Sequence, residues 1–176
     1  MIDLRSDTVT KPTAAMRKVM AEAEVGDDVW GDDPTVNRLE ELAAEMLDTE
    51  AALYVSSGTQ SNLVGILCHC QRGEEYIVGQ AAHTYKYEGG GAAVLGSIQP
   101  QPIEVERNGT LPLEKIRAAI KPDNVHFAIS RLLCLENTIG GQVLPMDYVK
   151  EASSLAKSHG LNIHLDGARI FNAACA

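Results

Sequence analysis

Apolar residues recur along the chain with two different periods, and the switches between them divide it into alternating helices and strands. Spacings of three and four put Met16, Val19 and Met20 on one side of a helix over residues 13–23. The same spacing puts Val36, Leu39, Ala43 and Met46 on the buried side of a second helix. That helix opens at Asp33-Pro34, an N-cap followed by proline at the first helical position, and runs to about Leu47. Leu63, Ile66, Leu67 and Cys70 mark the buried face of a third, which stops near Arg72-Gly73. Leu113, Ile116 and Ile120 give a short helix closed by Lys121-Pro122-Asp123. Val149, Ala152, Leu155 and Ala156 face inward from a helix over 145–159 that Gly160 ends. Strand-like runs lie between them: 52–55, 75–79, 94–103 with an interruption at Pro100, 125–135, and 161–165, where Leu161, Ile163 and Leu165 alternate. Strands alternating with helices predict an α/β fold, a mostly parallel sheet flanked by helices, with no repeat or linker interrupting it.

Two strand ends carry candidate chemistry. In NIHLDGAR, residues 162–169, Asp166 falls at the carboxyl end of the last strand, where open α/β sheets place ligands. It either caps the following helix, with Arg169 as an ion-pair partner, or meets a cationic ligand. In ALYVSSGTQSN, residues 52–62, Ser56, Ser57, Gly58 and Thr59 open a helix. Their hydroxyls and unpaired N–H groups either cap that helix in the ordinary way or hold a phosphate. Taken together, the sites suit opposite ends of one cofactor, a phosphate at Gly58-Thr59 and a protonated ring nitrogen at Asp166. Pyridoxal phosphate has both ends.

Composition narrows the partners. The 176 residues suit one sizeable core, and the formal charge of -9 with no Lys/Arg run argues against nucleic acid and anionic membranes, leaving a small molecule. Cys68-His69-Cys70 invites a metal reading, but alternate residues point to different faces, and GDDVWGDD at 26–33 lacks the closing Glu of a calcium loop. No metal site is expected. The glycines of 88–92 lack the spacing of a dinucleotide fingerprint and read as a loop passing close to another backbone. Neither an apolar leader core nor a run of transmembrane length is visible, so a cytoplasmic location is expected.

The chain resembles the low-specificity L-threonine aldolases among the aspartate-aminotransferase-like pyridoxal-phosphate enzymes. The matching stretches are DLRSDTVT (3–10), GDDVWGDDPT (26–35), SGTQ (57–60), His83, LENT (135–138) and HLDGAR (164–169). The resemblance implies pyridoxal-phosphate-dependent cleavage of L-threonine or L-allo-threonine, a β-hydroxy-α-amino acid, to glycine and acetaldehyde. It also implies a homotetramer. Residues 1–12 would be an N-terminal active-site segment and 13–176 a partial cofactor-binding large domain, with the small C-terminal domain absent.

Carried over by position, Gly58 and Thr59 anchor the phosphate, His83 stacks on the ring and Asp166 meets the ring nitrogen. Arg169, also among the cofactor contacts, holds the substrate carboxylate with Ser6. Either His83 or His126 takes the β-hydroxyl proton. Two departures stand out: Trp30 where many members have Tyr, and Ile139 where many have His. The Schiff-base lysine of the resembling enzymes would follow Asp166, and no lysine does. The 176-residue chain alone is therefore expected to be inactive, with apolar surface uncovered and a tendency to aggregate. Two other readings stay open. One is a non-catalytic remnant that binds cofactor or pairs with full-length subunits; the other is a different lyase or aminotransferase of the same fold.

Overall fold

The computed structural model describes residues 2–176 and divides into two compact units, one ending at Tyr54 and the other Val55–Ala176. The first unit holds helices α1 (Ala14–Glu22) and α2 (Pro34–Leu47), with short 3-10 turns at Asp7–Val9 and Asp28–Trp30. Its caps follow the sequence. Thr13 accepts from the Met16 N–H, and Asp33 accepts from Thr35 and Val36 while its second oxygen takes the Gly26 N–H.

The burial expected of the α2 stripe is found only in part, with Val36 and Ala43 half-buried. Met16, Val19, Met20, Leu39 and Met46 are all exposed, because no layer of this unit packs on those stripes. Nor is 52–55 a strand. Leu53 is 71 % exposed, and the Tyr54 N–H goes to the Glu40 carboxylate instead of a ladder partner.

The second unit carries the core. Helix α3 (Gly58–His69) precedes strand β1 (Glu74–Gly79), and short helices α4 (His83–Lys86) and α5 (Gly91–Val94) lead to β2 (Gln99–Ile103). Helix α6 (Leu113–Ala119), strand β3 (Ile129–Glu136), helix α7 (Met146–Ser158), strand β4 (Asn162–Asp166) and helix α8 (Ile170–Cys175) follow. All strand pairs are parallel, in the order β2-β1-β3-β4. Ile77, Val78, Leu132 and Leu133 in the two central strands are fully buried, as strands covered on both faces must be.

Several boundaries moved for physical reasons. Residues 94–98 are not strand: α5 reaches Val94, and the Glu88-Gly-Gly-Gly stretch supplies the left-handed Gly89 and Gly90 that start it. Pro100 does not interrupt β2. It and Pro102 lie at alternate positions of an edge strand, where a missing N–H can face away from the sheet. Residues 125–128 form an exposed turn, with Val125 97 % exposed, so β3 starts later than its apolar run. Helix α3 ends at His69, and Leu67 on its expected buried face is exposed, while Ile66 and Cys70 are buried.

The strand order sets the place for chemistry. From β1 the chain moves outward to β2, then crosses back to β3 and continues outward to β4. The connections leaving β1 and β3 therefore diverge, and the crevice at the carboxyl ends of those strands is the topological switch point. No helix among the described residues is long and apolar enough to cross a membrane.

Candidate active site

At this sheet edge β3 ends in Glu136 and β4 in Asp166, which are ladder partners. Asp166 is buried. Its Oδ1 accepts the Ala168 N–H at 3.0 Å and its Oδ2 accepts from Asn62 Nδ2 at 2.9 Å. Asp166 therefore closes a local turn. It does not cap α8, whose first flanking residue is Arg169 and which has no side-chain cap. The Asp166 carbonyl also accepts the Asn137 N–H, tying the loops after β3 and β4 together.

Asn62 lies one turn into α3, buried among neighbours of the apolar stripe. Its Nδ2 also donates to Glu88 Oε1 at 2.8 Å, and its Oδ1 contacts His164 Nε2 at 2.9 Å. Glu88, with its side chain only 4 % exposed, holds His83 Nδ1 at 2.7 Å. A carboxylate only accepts, so Nδ1 carries the proton in this contact. The His83 backbone N–H donates to Glu136 Oε2 at 2.6 Å, and its ring is tilted against Tyr87 at 5.5 Å. Burial pushes the Glu136 carboxyl above its ordinary range, with Asp166 adding to the rise and the His83 N–H opposing it. Burial pushes the His164 imidazole below its ordinary range.

The amino end of α3 stands about 6 Å along the helix from Asn62, one turn at 1.5 Å per residue. Ser57 accepts the Gln60 N–H, and the Gln60 side chain takes the Ser56 N–H and hydroxyl, a reciprocal cap. Nothing among the described residues accepts from the Gly58 and Thr59 N–H groups, and a Cβ built on Gly58 would meet nothing within 4 Å. Those donors open onto free space at the positive end of a helix.

The structure thus brings together Gly58, Thr59, His83 and Asp166, with half-buried Arg169 close enough for its charge to act on Glu136. It does not bring His126 to them. His126 sits in the exposed turn before β3, its N–H on Asn124 Oδ1, at the opposite end of the sheet and roughly 20 Å away by strand rise. Ser6 belongs to the first unit, where its hydroxyl accepts from the Thr8 N–H. Ile139, where many members of the resembling family have His, is buried and its backbone pairs with Gln142.

The sequence assigns no role to Asn62, Glu88 or His164, while Glu136 is legible only as part of the matching stretch LENT, at the same sheet edge as Asp166. Asn62 offered one signal: it shares the helical stripe of Ile66 and Cys70, and a polar residue on an apolar stripe needs a buried partner. His83, Glu88 and Asp166 also place three ligand atoms within 4.8 Å of one another, a grouping no sequence spacing announced. Cys68 is exposed and Cys70 buried, so these two thiols lie on different faces.

The donor set fits pyridoxal phosphate. Backbone donors at a helix start match a phosphate, and one turn away two buried carboxylates converge on a single neutral amide, an arrangement that favours a cationic ring nitrogen. Similarity points the same way. The chain is 62% identical to the low specificity L-threonine aldolase of Escherichia coli K12 over 176 residues, all of this chain and 53% of that protein. It is 48% identical to low-specificity L-threonine aldolase 1 of Arabidopsis thaliana, over 99% of this chain and 51% of that one. The chain spans about half the length of the curated relatives it matches. A solved Leishmania major threonine aldolase superposes with a TM-score of 0.77 at 26% identity, covering 90% of this chain and 46% of that one. The sequence profile for beta-eliminating lyases matches residues 3–176. With a sheet of the fold-type I architecture beneath such a site, the chain belongs to the beta-eliminating lyase family of pyridoxal-phosphate-dependent enzymes.

Proposed function

We propose that the protein, as a complete chain of its relatives' length, cleaves L-threonine and L-allo-threonine to glycine and acetaldehyde with pyridoxal phosphate. The observation that carries this reading is the buried Asp166 carboxylate, held at the carboxyl end of β4 by Asn62, which lies one helical turn from the open start of α3. When bound, the cofactor supplies the electron sink for the pair left at Cα as Cα–Cβ breaks. Gly58 and Thr59 donate backbone N–H groups to the phosphate. Asp166 favours the protonated ring nitrogen. Arg169 and, from the N-terminal segment 1–12, Ser6 hold the substrate carboxylate.

His83 is the group placed to take the β-hydroxyl proton. Glu88 holds its Nδ1–H, which orients the ring and leaves Nε2 as the acceptor. His126 takes part only where a site is shared between copies, in keeping with the tetramer the resemblance implies. The test is acetaldehyde and glycine released in equal amounts from L-allo-threonine, abolished in Asp166→Ala. A protein that releases neither from either threonine isomer contradicts the reading.

A second reading, binding without turnover, is favoured by the lysines. Lys18, Lys115, Lys121 and Lys150 pair with acids elsewhere, and Lys86 lies over the Tyr87 ring at 5.2 Å. Among the described residues no lysine is hydrogen-bonded to Asn62, Glu88 or Asp166. The 176-residue chain by itself is expected to bind the cofactor and release no acetaldehyde. Turnover by that chain, lost in Lys86→Met, would show that a lysine within it serves the reaction.

A further inference from the structure

We propose that Asn62 and His164 are positioning residues for Asp166: His164 fixes which end of the Asn62 amide faces the carboxylates, and that amide fixes the acid toward a cationic ring nitrogen. This rests on the cofactor reading above. Residues 164 and 166 of β4 are two apart, so both project from the same face of the sheet, toward α3. Asn62 spans the pair. Its nitrogen meets only carboxylate oxygens, Glu88 Oε1 and Asp166 Oδ2, which can only accept. Its oxygen must then take a proton from His164, which makes Nε2 the protonated nitrogen. A rotated amide would set its oxygen against two carboxylates and leave the imidazole N–H unpaired.

The imidazole is itself seated. A Cβ on Gly65 would come within 2.9 Å of both Cε1 and Nδ1 of His164, so the ring packs directly on the α3 backbone one turn beyond Asn62. Burial keeps the ring neutral around pH 7, with a single N–H to give. Helix, strand and acid are thereby locked in one register: Gly65 seats His164, His164 orients Asn62, and Asn62 holds Asp166 and Glu88.

The test compares two ligands that differ at one atom: pyridoxal 5'-phosphate and its analogue with the ring nitrogen replaced by C–H. Dissociation constants come from absorbance titration, with a thermal melt on every variant. His164→Leu and Asn62→Leu are expected to weaken pyridoxal phosphate by about tenfold, the scale of one hydrogen bond to a charged group, and the carbocyclic analogue by less than about twofold. His164→Gln, which places an amide N–H near the Nε2 position, restores affinity. Gly65→Ala keeps both polar side chains but displaces the ring, and it gives the same ligand-selective loss should a leucine variant fail to fold. Equal losses for both ligands would reduce the pair to packing and overturn the proposal, as would unchanged affinity. A wild-type protein that does not distinguish the ligands would overturn the Asp166 reading beneath it as well.

Discussion

Each end of the parallel sheet buries a carboxylate, and the two are treated in opposite ways. At the amino end Glu75 is fully buried and meets a cation of its own unit, the Lys121 ammonium, with Ser130 Oγ donating at 2.6 Å and Gln99 Nε2 at 3.1 Å. At the carboxyl end Asp166 receives its hydrogen bonds from neutral groups, the Asn62 amide and the Ala168 N–H, and shares that amide with a second acid. A carboxylate satisfied by a lysine has its chemistry used up in holding the fold. One satisfied by neutral dipoles keeps its charge available, and under the proposed function that difference separates a structural acid from a functional one.

The largest effect that should separate the ends is on folding. Lys121→Met leaves Glu75 as an uncompensated buried charge and is expected to cost about 3 kcal/mol in urea unfolding, with cofactor affinity in the folded fraction unchanged. A loss of affinity equal to that at the other end would erase the distinction. Asp166→Ala is expected to do the reverse, weakening pyridoxal phosphate by about a hundredfold, roughly 2.7 kcal/mol, with little change in the melt. Asp166→Glu should retain far more affinity and activity than the alanine variant. Ser57→Ala removes the cap that presents Gly58 and Thr59, and about 1 kcal/mol of stability should go with it.

The smallest effects are slopes with pH, and at the carboxyl end they run in opposite directions. The His164 value is depressed in the fold, so its contribution is fully present above the ordinary imidazole value of 6.5 and is lost as pH falls below it. Melts of His164→Gln should lack that acid-side decline. The Glu136 value is raised, so its contribution is fully present below the ordinary 4.5 and is lost as pH rises through the folded value. Glu136→Gln should therefore flatten the loss on the alkaline side.

What the sequence made legible follows from how local each signal is. Asp33-Pro34, Ser57 with Gln60, and Gly160 act through neighbours along the chain, and their helix ends lie where those residues put them within a few positions. The α/β alternation survived because each core strand carries its own apolar run. The position of Asp166 at a strand end was legible for the same reason. Its partners were not: Asn62 lies 104 residues away and His164 meets Asn62 across 102, separations over which no local pattern operates. The faces of α1 and α2 failed differently. Periodicity shows that Met16 or Leu39 can be buried, while burial itself needs a second surface that helical spacing does not encode.

The prolines of β2 give the sheet a direction of growth. Gln80 N–H donates to the Ile103 carbonyl, and Gly79 of β1 is the ladder partner of Ile103. The backbone groups of 99, 101 and 103 therefore face β1, and those of 100 and 102 face outward. Both outward positions are proline, so this margin offers carbonyls but no N–H, and a strand laid against it could form only half a ladder. The β4 margin, Asn162–Asp166, has no proline, so it keeps both its outward N–H groups and its carbonyls and is the only one of the two margins able to form a full ladder.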